Sequence, residues 1–167
     1  MDDTSNYGRA GVMDYQRVFN IISFLEFDDQ YAPWMAAIDT FNFLIRRLAH
    51  DPTNLARLQS LIIDWSKAIT GRLGFVEIPD EPFMDGILRM YVMQFLCDVG
   101  HEECVRVGRE TFVAWKNDQI FVPANMRPWV YCVGLREGDG ADFDYFWDQY
   151  LNEDLASEQV VMIQAAG

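Results

Sequence analysis

Cys97 and Cys104 bracket a glycine and a histidine in the run Cys97-Asp98-Val99-Gly100-His101-Glu102-Glu103-Cys104. One chemistry for such a pair is oxidation to a disulfide. On an unbroken helix, positions seven apart lie about 10.5 Å apart along the axis, beyond the ~7 Å that a disulfide allows between Cα atoms. A bonded pair therefore requires the helix to stop between the cysteines. Gly100 is suited to stop it, because glycine adopts the left-handed conformation at no steric cost. The expected arrangement is a helix ending near Val99, a tight turn, and a new helix from about His101. The other reading takes Cys97, Cys104 and Cys132 as unrelated buried thiols in a helical protein. Spacing alone leaves both open.

The same stretch raises a metal question. His101-Glu102-Glu103-Cys104-Val105 starts as the helical zinc motif His-Glu-x-x-His does, in which two histidines hold the metal and the glutamate polarises water. Val105 stands where the second ligand belongs, and the one other histidine is the distant His50. A set built from His101, Glu102 and Cys104 would lose its thiolate if Cys104 were oxidised. The expectation is a histidine at a helix start. Ser157-Glu158 has no histidine nearby in sequence, and no Gly-x-Ser-x-Gly elbow occurs. Glu137, Asp142 and Asp144 could converge for acid–base work if their environments differed, but solvating a loop is the ordinary role of such residues. The glycines at 134, 138 and 140 lack the Lys-Ser or Lys-Thr of a phosphate loop. No residue is assigned to catalysis or to metal binding.

The elements that carry these residues read as helices throughout. Apolar residues recur at helical spacing over about 13–26, 32–49, 83–99, 101–117, 125–135, 141–151 and 156–165. A further helix begins at Asp51-Pro52, with Asp51 as cap and Pro52 at the first position, and ends at Gly71 or Gly74. Arg46-Arg47 suits the negative end of its helix. Phe75 to Pro82 is a loop, Gln119 to Pro123 is extended, and Arg136-Glu137-Gly138-Asp139-Gly140 is the sharpest turn signal. Ser157 or Asn152 is expected to cap the last helix. Eight helices and almost no strand pattern give an all-α fold. Pairs of about 40 residues suggest antiparallel hairpins stacked as a HEAT- or armadillo-like superhelix, a partial solenoid; no motif recurs at a fixed period, and a globular helical bundle is the alternative.

Composition narrows the function classes. A chain of 167 residues is expected to form a single all-α domain. Half of its residues are hydrophobic, which excludes disorder. A net charge of −13 argues against nucleic acid and against an anionic membrane surface. No run approaches the ~18 apolar residues of a membrane span. The polar, acidic start Met1-Asp2-Asp3-Thr4-Ser5-Asn6 is not a signal peptide.

A set of short motifs adds a resemblance. Gly100-His101-x-x-Cys104 is followed by Phe112-x-x-Trp115, Pro123-x-Asn125-x-Arg127 and Val130-Tyr131-Cys132. Gly134-Leu135-Arg136-Glu137-Gly138, Asp142-Phe143 and Trp147-x-x-Tyr150 complete the series. Together with Tyr31-x-Pro33-Trp34-x-Ala36-Ala37 and Ser157-Glu158-Gln159, they resemble the C-terminal helical domain of aminopeptidase N-type zinc peptidases of the M1 family, especially those of the insect gut. The resemblance covers nearly the whole chain.

That resemblance implies a piece of a larger enzyme, residues 1–167 forming one all-α domain or part of it. The parent would use one zinc to remove N-terminal residues from peptides. This chain would hold no cofactor, would be inactive alone, and would wall the substrate chamber. Its partners would be the catalytic domain of the same chain and the peptide, with no nucleic acid. The parent would be extracellular and anchored at the plasma membrane. The resemblance further implies that Cys97 and Cys104 are bonded. Cys132, whose family partner lies just beyond the Met162-Ile163-Gln164-Ala165-Ala166-Gly167 segment, would be left unpaired by truncation. Arg136 is the candidate for contact with a peptide carboxyl end. The alternative function is a binding module whose helical surface receives another protein, such as a bacterial toxin.

Overall fold

The computed structural model describes residues 2–167, and among them it is all-α, as expected from the periodicity. Its contacts group into two compact units, Met1–Gly74 and Phe75–Gly167.

The first unit contains α1 (Asp2–Arg9), α2 (Tyr15–Ile22), a 3-10 turn (Ser23–Phe27), α3 (Tyr31–Leu48), α4 (Pro52–Trp65) and α5 (Lys67–Leu73). Helix α1 is not expected from the periodicity, because Asp2-Asp3-Thr4-Ser5 offers no apolar stripe. It is held by a buried hydroxyl pair, Ser5 Oγ to Thr40 Oγ1 at 2.8 Å, and by Gly8, where an added Cβ would lie 3.0 Å from Val18. The helix expected over 13–26 tightens into the 3-10 turn after Ile22. Ser23 Oγ there donates to the carbonyl of Asn20 at 3.0 Å, the kind of side-chain bond that competes with helix continuation.

The helix expected from Asp51 to Gly71 or Gly74 is likewise broken, at Ser66. Asp51 does cap it, accepting from Asn54 N at 3.1 Å. The buried Ser66 hydroxyl donates to the Ile63 carbonyl at 2.8 Å, and Thr70 Oγ1 donates to the Ser66 carbonyl at 2.9 Å. Both carbonyls also accept a backbone N–H, from Ser66 at 3.3 Å and from Thr70 at 2.9 Å, so each hydroxyl adds a second bond at the bend. The core of this unit is Trp34, Phe41, Ile62 and Ile69, with the Trp65 ring 6.3 Å from Phe19 and 6.1 Å from Phe41.

The second unit contains α6 (Phe83–Asp98), α7 (Glu102–Asp118), α8 (Arg127–Arg136), α9 (Gly140–Asn152) and α10 (Ala156–Ala166). Their bounds fall within two residues of the periodic segments. α8 packs against each of the other four and buries Trp129, Val130, Tyr131, Val133 and Gly134. Its approach to α7 is close because both faces carry glycine. A Cβ at Gly108 would sit 3.0 Å from Val133, and one at Gly134 would overlap the buried Phe112 ring. Neither Ser157 nor Asn152 caps α10. The chain enters it through Leu155, whose N–H donates to Glu153 Oε1 at 2.9 Å.

Candidate functional site

The stretch between α6 and α7 forms one compact corner. α6 ends at Asp98, Gly100 takes φ +88°, and His101 begins the next helix. The Cys97 and Cys104 sulfurs are bonded across this corner, with their Cα atoms 5.2 Å apart. His101 Nδ1 accepts from the Cys104 N–H at 3.4 Å, serving as the side-chain cap of α7. Glu102 and Glu103 occupy the first turn, where the helix dipole favours negative charge. Burial pushes the His101 pKa down, in keeping with a neutral ring whose Nδ1 is an acceptor.

These residues do not make a metal site. Cys104 has no thiolate while oxidised, His101 spends a ring nitrogen on the cap, and Val105 contributes no ligand. Among the described residues no group of three or more His, Cys, Asp or Glu could hold a metal ion. The described residues therefore do not fit the zinc of a peptidase.

Arg136, at the end of α8, closes on this corner. It donates to the Cys97 carbonyl at 2.9 Å and pairs with Asp98 at 3.3 Å and with Glu137 at 2.9 Å. Cys132 lies one turn earlier on α8 as a half-buried free thiol, and burial raises its pKa. Opening the Cys97–Cys104 bond is expected to lower stability by about 2–3 kcal/mol, the chain-entropy value for so short a loop. Urea midpoints with and without a reductant check this, and Cys97→Ser/Cys104→Ser should reproduce the reduced value.

Glu137, Asp142 and Asp144 do not form a carboxylate set. Glu137 pairs with Arg136 and Asp144 is exposed. Asp142 is buried, contrary to the solvated-loop reading. Its carboxylate takes Arg109 at 2.6 Å and Lys116 at 2.8 Å. It also accepts from Asp139 N at 3.2 Å, while Asp139 accepts from Asp142 N at 3.1 Å, a reciprocal capping box at the start of α9. Burial pushes its pKa up, but the bonds from Lys116 and Arg109 outweigh this and hold it at about 2. Arg109 also donates to the Gly134 carbonyl at 3.1 Å, so one carboxylate links α7, α8 and α9.

Two further acids, the buried Glu158 and the part-buried Glu81, do comparable work. Glu158 of α10 accepts from Arg127 at 2.7 Å and from the Tyr131 hydroxyl at 3.2 Å. Burial, with the Glu158 charge adding to it, drives the Tyr131 pKa far up. Glu81, in the loop before α6, pairs with the fully buried Arg89. All three acids pair with bases and sit in polar networks of the core. None is an unpaired group poised to take or give a proton.

The surface of the second unit shows a ladder of aromatic rings on α9. Phe143 and Trp147 stack at 6.0 Å, and Trp147 and Tyr150 at 4.9 Å. Phe143 and Trp147 are exposed.

Comparisons with known proteins bear on residues 1–167 as a whole. The model of the "ERAP1-like C-terminal domain" family matches residues 1–167. A membrane alanyl aminopeptidase of Manduca sexta is 54% identical over the full chain, which covers 17% of that protein. A membrane alanyl aminopeptidase of Heliothis virescens is 35% identical over the full chain, covering 16% of it. A glutamyl aminopeptidase of Sus scrofa is 26% identical over 95% of the chain and 17% of its own length. The chain thus spans about one sixth of the length of these relatives.

Proposed function

The chain belongs to the ERAP1-like C-terminal domain family, and on that premise we propose that it is a non-catalytic part of the C-terminal domain of a zinc-dependent aminopeptidase N. The observation that carries this reading is the match of the family model to all 167 residues, alongside 54% identity to a membrane alanyl aminopeptidase. In this reading the parent removes N-terminal residues from peptides and is a membrane-anchored extracellular protein. Its helix pairs stack as a superhelix that walls the substrate chamber. Cys132 finds its partner in the parent beyond Gly167.

The internal polar networks suit that role. Acids paired with bases inside the fold fix one packing arrangement over its alternatives, as a rigid wall requires. Arg136 meeting a peptide carboxyl end belongs to the same proposal. The test is hydrolysis of an alanyl anilide by the complete polypeptide and by this chain alone. The complete polypeptide should cleave it and lose that activity to a zinc chelator, and the 167-residue chain should be inert. Cleavage by the isolated chain would overturn the assignment.

A second reading, a surface that receives another protein such as a bacterial toxin, draws on the exposed α9 ladder, since exposed contiguous aromatics mark interaction sites. Trp147→Ala would abolish toxin capture in that case and leave it unchanged otherwise.

A further inference from the structure

The first unit holds a groove of about 850 Å³ between α1, α2, α3 and α4. Its apolar lining comes from Phe19, Phe43, Leu44, Leu58 and Leu61. Three arginines, Arg9, Arg47 and Arg57, also line it, each from a different helix. The guanidinium of Arg9 lies 4.4 Å from the centre of the Phe43 ring, and that of Arg47 lies 5.3 Å from the same centre.

Two cations gathered at one ring repel each other, and the ring quadrupole only partly offsets this. In a chain of net charge −13 the ordinary remedy would be a nearby carboxylate. Among the described residues none of these arginines is in a salt bridge. Ion pairs that this unit does form include Lys67–Asp64 and Arg72–Asp29. Arg9 donates to the Asp39 carbonyl at 3.3 Å and Arg57 to Asn54 Oδ1 at 3.4 Å, both neutral acceptors, and Asp51 feels Arg57 only through space.

We propose that this groove docks an acidic, amphipathic segment of the parent polypeptide lying outside these 167 residues. Its apolar side chains fill the groove, and its carboxylates meet Arg9, Arg47 and Arg57. The inference rests on the aminopeptidase reading above. Charge complementarity selects the chemistry. Guanidinium groups match carboxylates in planar, two-bond geometry, and three of them on three helices call for several carboxylates, more than a single-chain fatty acid carries. A helix laid in a groove presents acids and apolar residues together. The chain spans about one sixth of its relatives' length, so a parent of that size leaves most of its polypeptide outside this region. A tethered segment binds at high effective concentration, which favours it over a second copy.

The test places a photoreactive p-benzoylphenylalanine at Gln16, on the groove, in the complete polypeptide, and maps the products by mass spectrometry. The expected product is a crosslink within the same polypeptide to a segment beyond this region bearing at least two acids among apolar residues. Its yield should fall about tenfold in Arg9→Glu/Arg47→Glu/Arg57→Glu. Should that variant misfold, the unmodified arginines serve instead, because the yield should drop as NaCl rises from about 0.05 M to about 0.5 M. A crosslink to a second copy, an adduct with a lipid or other small anion, or no crosslink would overturn the docking inference. The intact mass of the natural polypeptide separates the two failures. A mass equal to this chain removes the aminopeptidase reading, whereas a long polypeptide without the crosslink removes the docking inference alone.

Discussion

Asp142→Ala is expected to destabilise the second unit by about 3 kcal/mol. Removing one member of a buried ion pair leaves its partners uncompensated, at about 3–5 kcal/mol. Arg109 and Lys116 are 31% and 24% exposed, so water recovers part of that and the lower end applies. The reciprocal half of the α9 capping box is lost as well, since Asp142 accepts from Asp139 N, while the Asp139 cap itself stays. The pH dependence carries a definite sign. The folded-state pKa of about 2 lies below the ordinary 3.8, so the carboxylate stabilises the fold fully above about pH 4. That stabilisation disappears as pH falls from about 4 to about 2, and it amounts to about 2 kcal/mol. The stability difference between wild type and variant, read from urea unfolding at each pH, should shrink accordingly. A difference independent of pH between 6 and 2 would mean that Asp142 acts through packing alone.

Gly134→Ala should be comparably costly, and for an opposite reason. In an exposed helix the exchange gains about 1 kcal/mol of helix propensity. Here the new methyl would overlap the Phe112 ring, itself 0% exposed. Overpacking costs about 1–3 kcal/mol, and with the ring unable to move into solvent the upper end is expected, leaving a net loss of about 2 kcal/mol. The double variant Gly134→Ala/Phe112→Leu should recover part of the loss, the coupling expected of touching residues. Urea midpoints of the single and double variants measure it.

Much of the fold was legible in the sequence because its helices are amphipathic and punctuated. Pro52, Gly74, Gly100 and the 136–140 turn mark ends that the structure keeps. The errors fall where side chains act on backbone. Ser23 and Ser66 bend or break helices through hydroxyl bonds that apolar periodicity does not register. α1 lacked an apolar stripe, and a pair of hydroxyls holds it. The corner at Gly100 was legible because spacing and glycine chemistry constrain each other. The Asp142 network was not, since Arg109 stands 33 residues away and Lys116 26 away. One local sign was present, the Asp139-x-x-Asp142 pattern of a capping box, and it places Asp142 against backbone where the loop reading placed it in water. Glu158 offered no such sign, because its partners Arg127 and Tyr131 are on another helix. The arginine groove drew on residues dispersed over α1, α3 and α4, of which Arg46-Arg47 alone stood out and was explained by the helix dipole.

The central place of α8 determines how disturbance spreads through the second unit. A helix that touches every neighbour offers no route by which one neighbour can peel away alone without uncovering it. Damage at α7 or α10, the helices most closely packed on α8, is then shared with its other neighbours, while α9 rests on it more lightly. In the first unit α1 packs on α2 and α3, and α3 packs separately on α4, so α1 can fray while α3 and α4 stay packed.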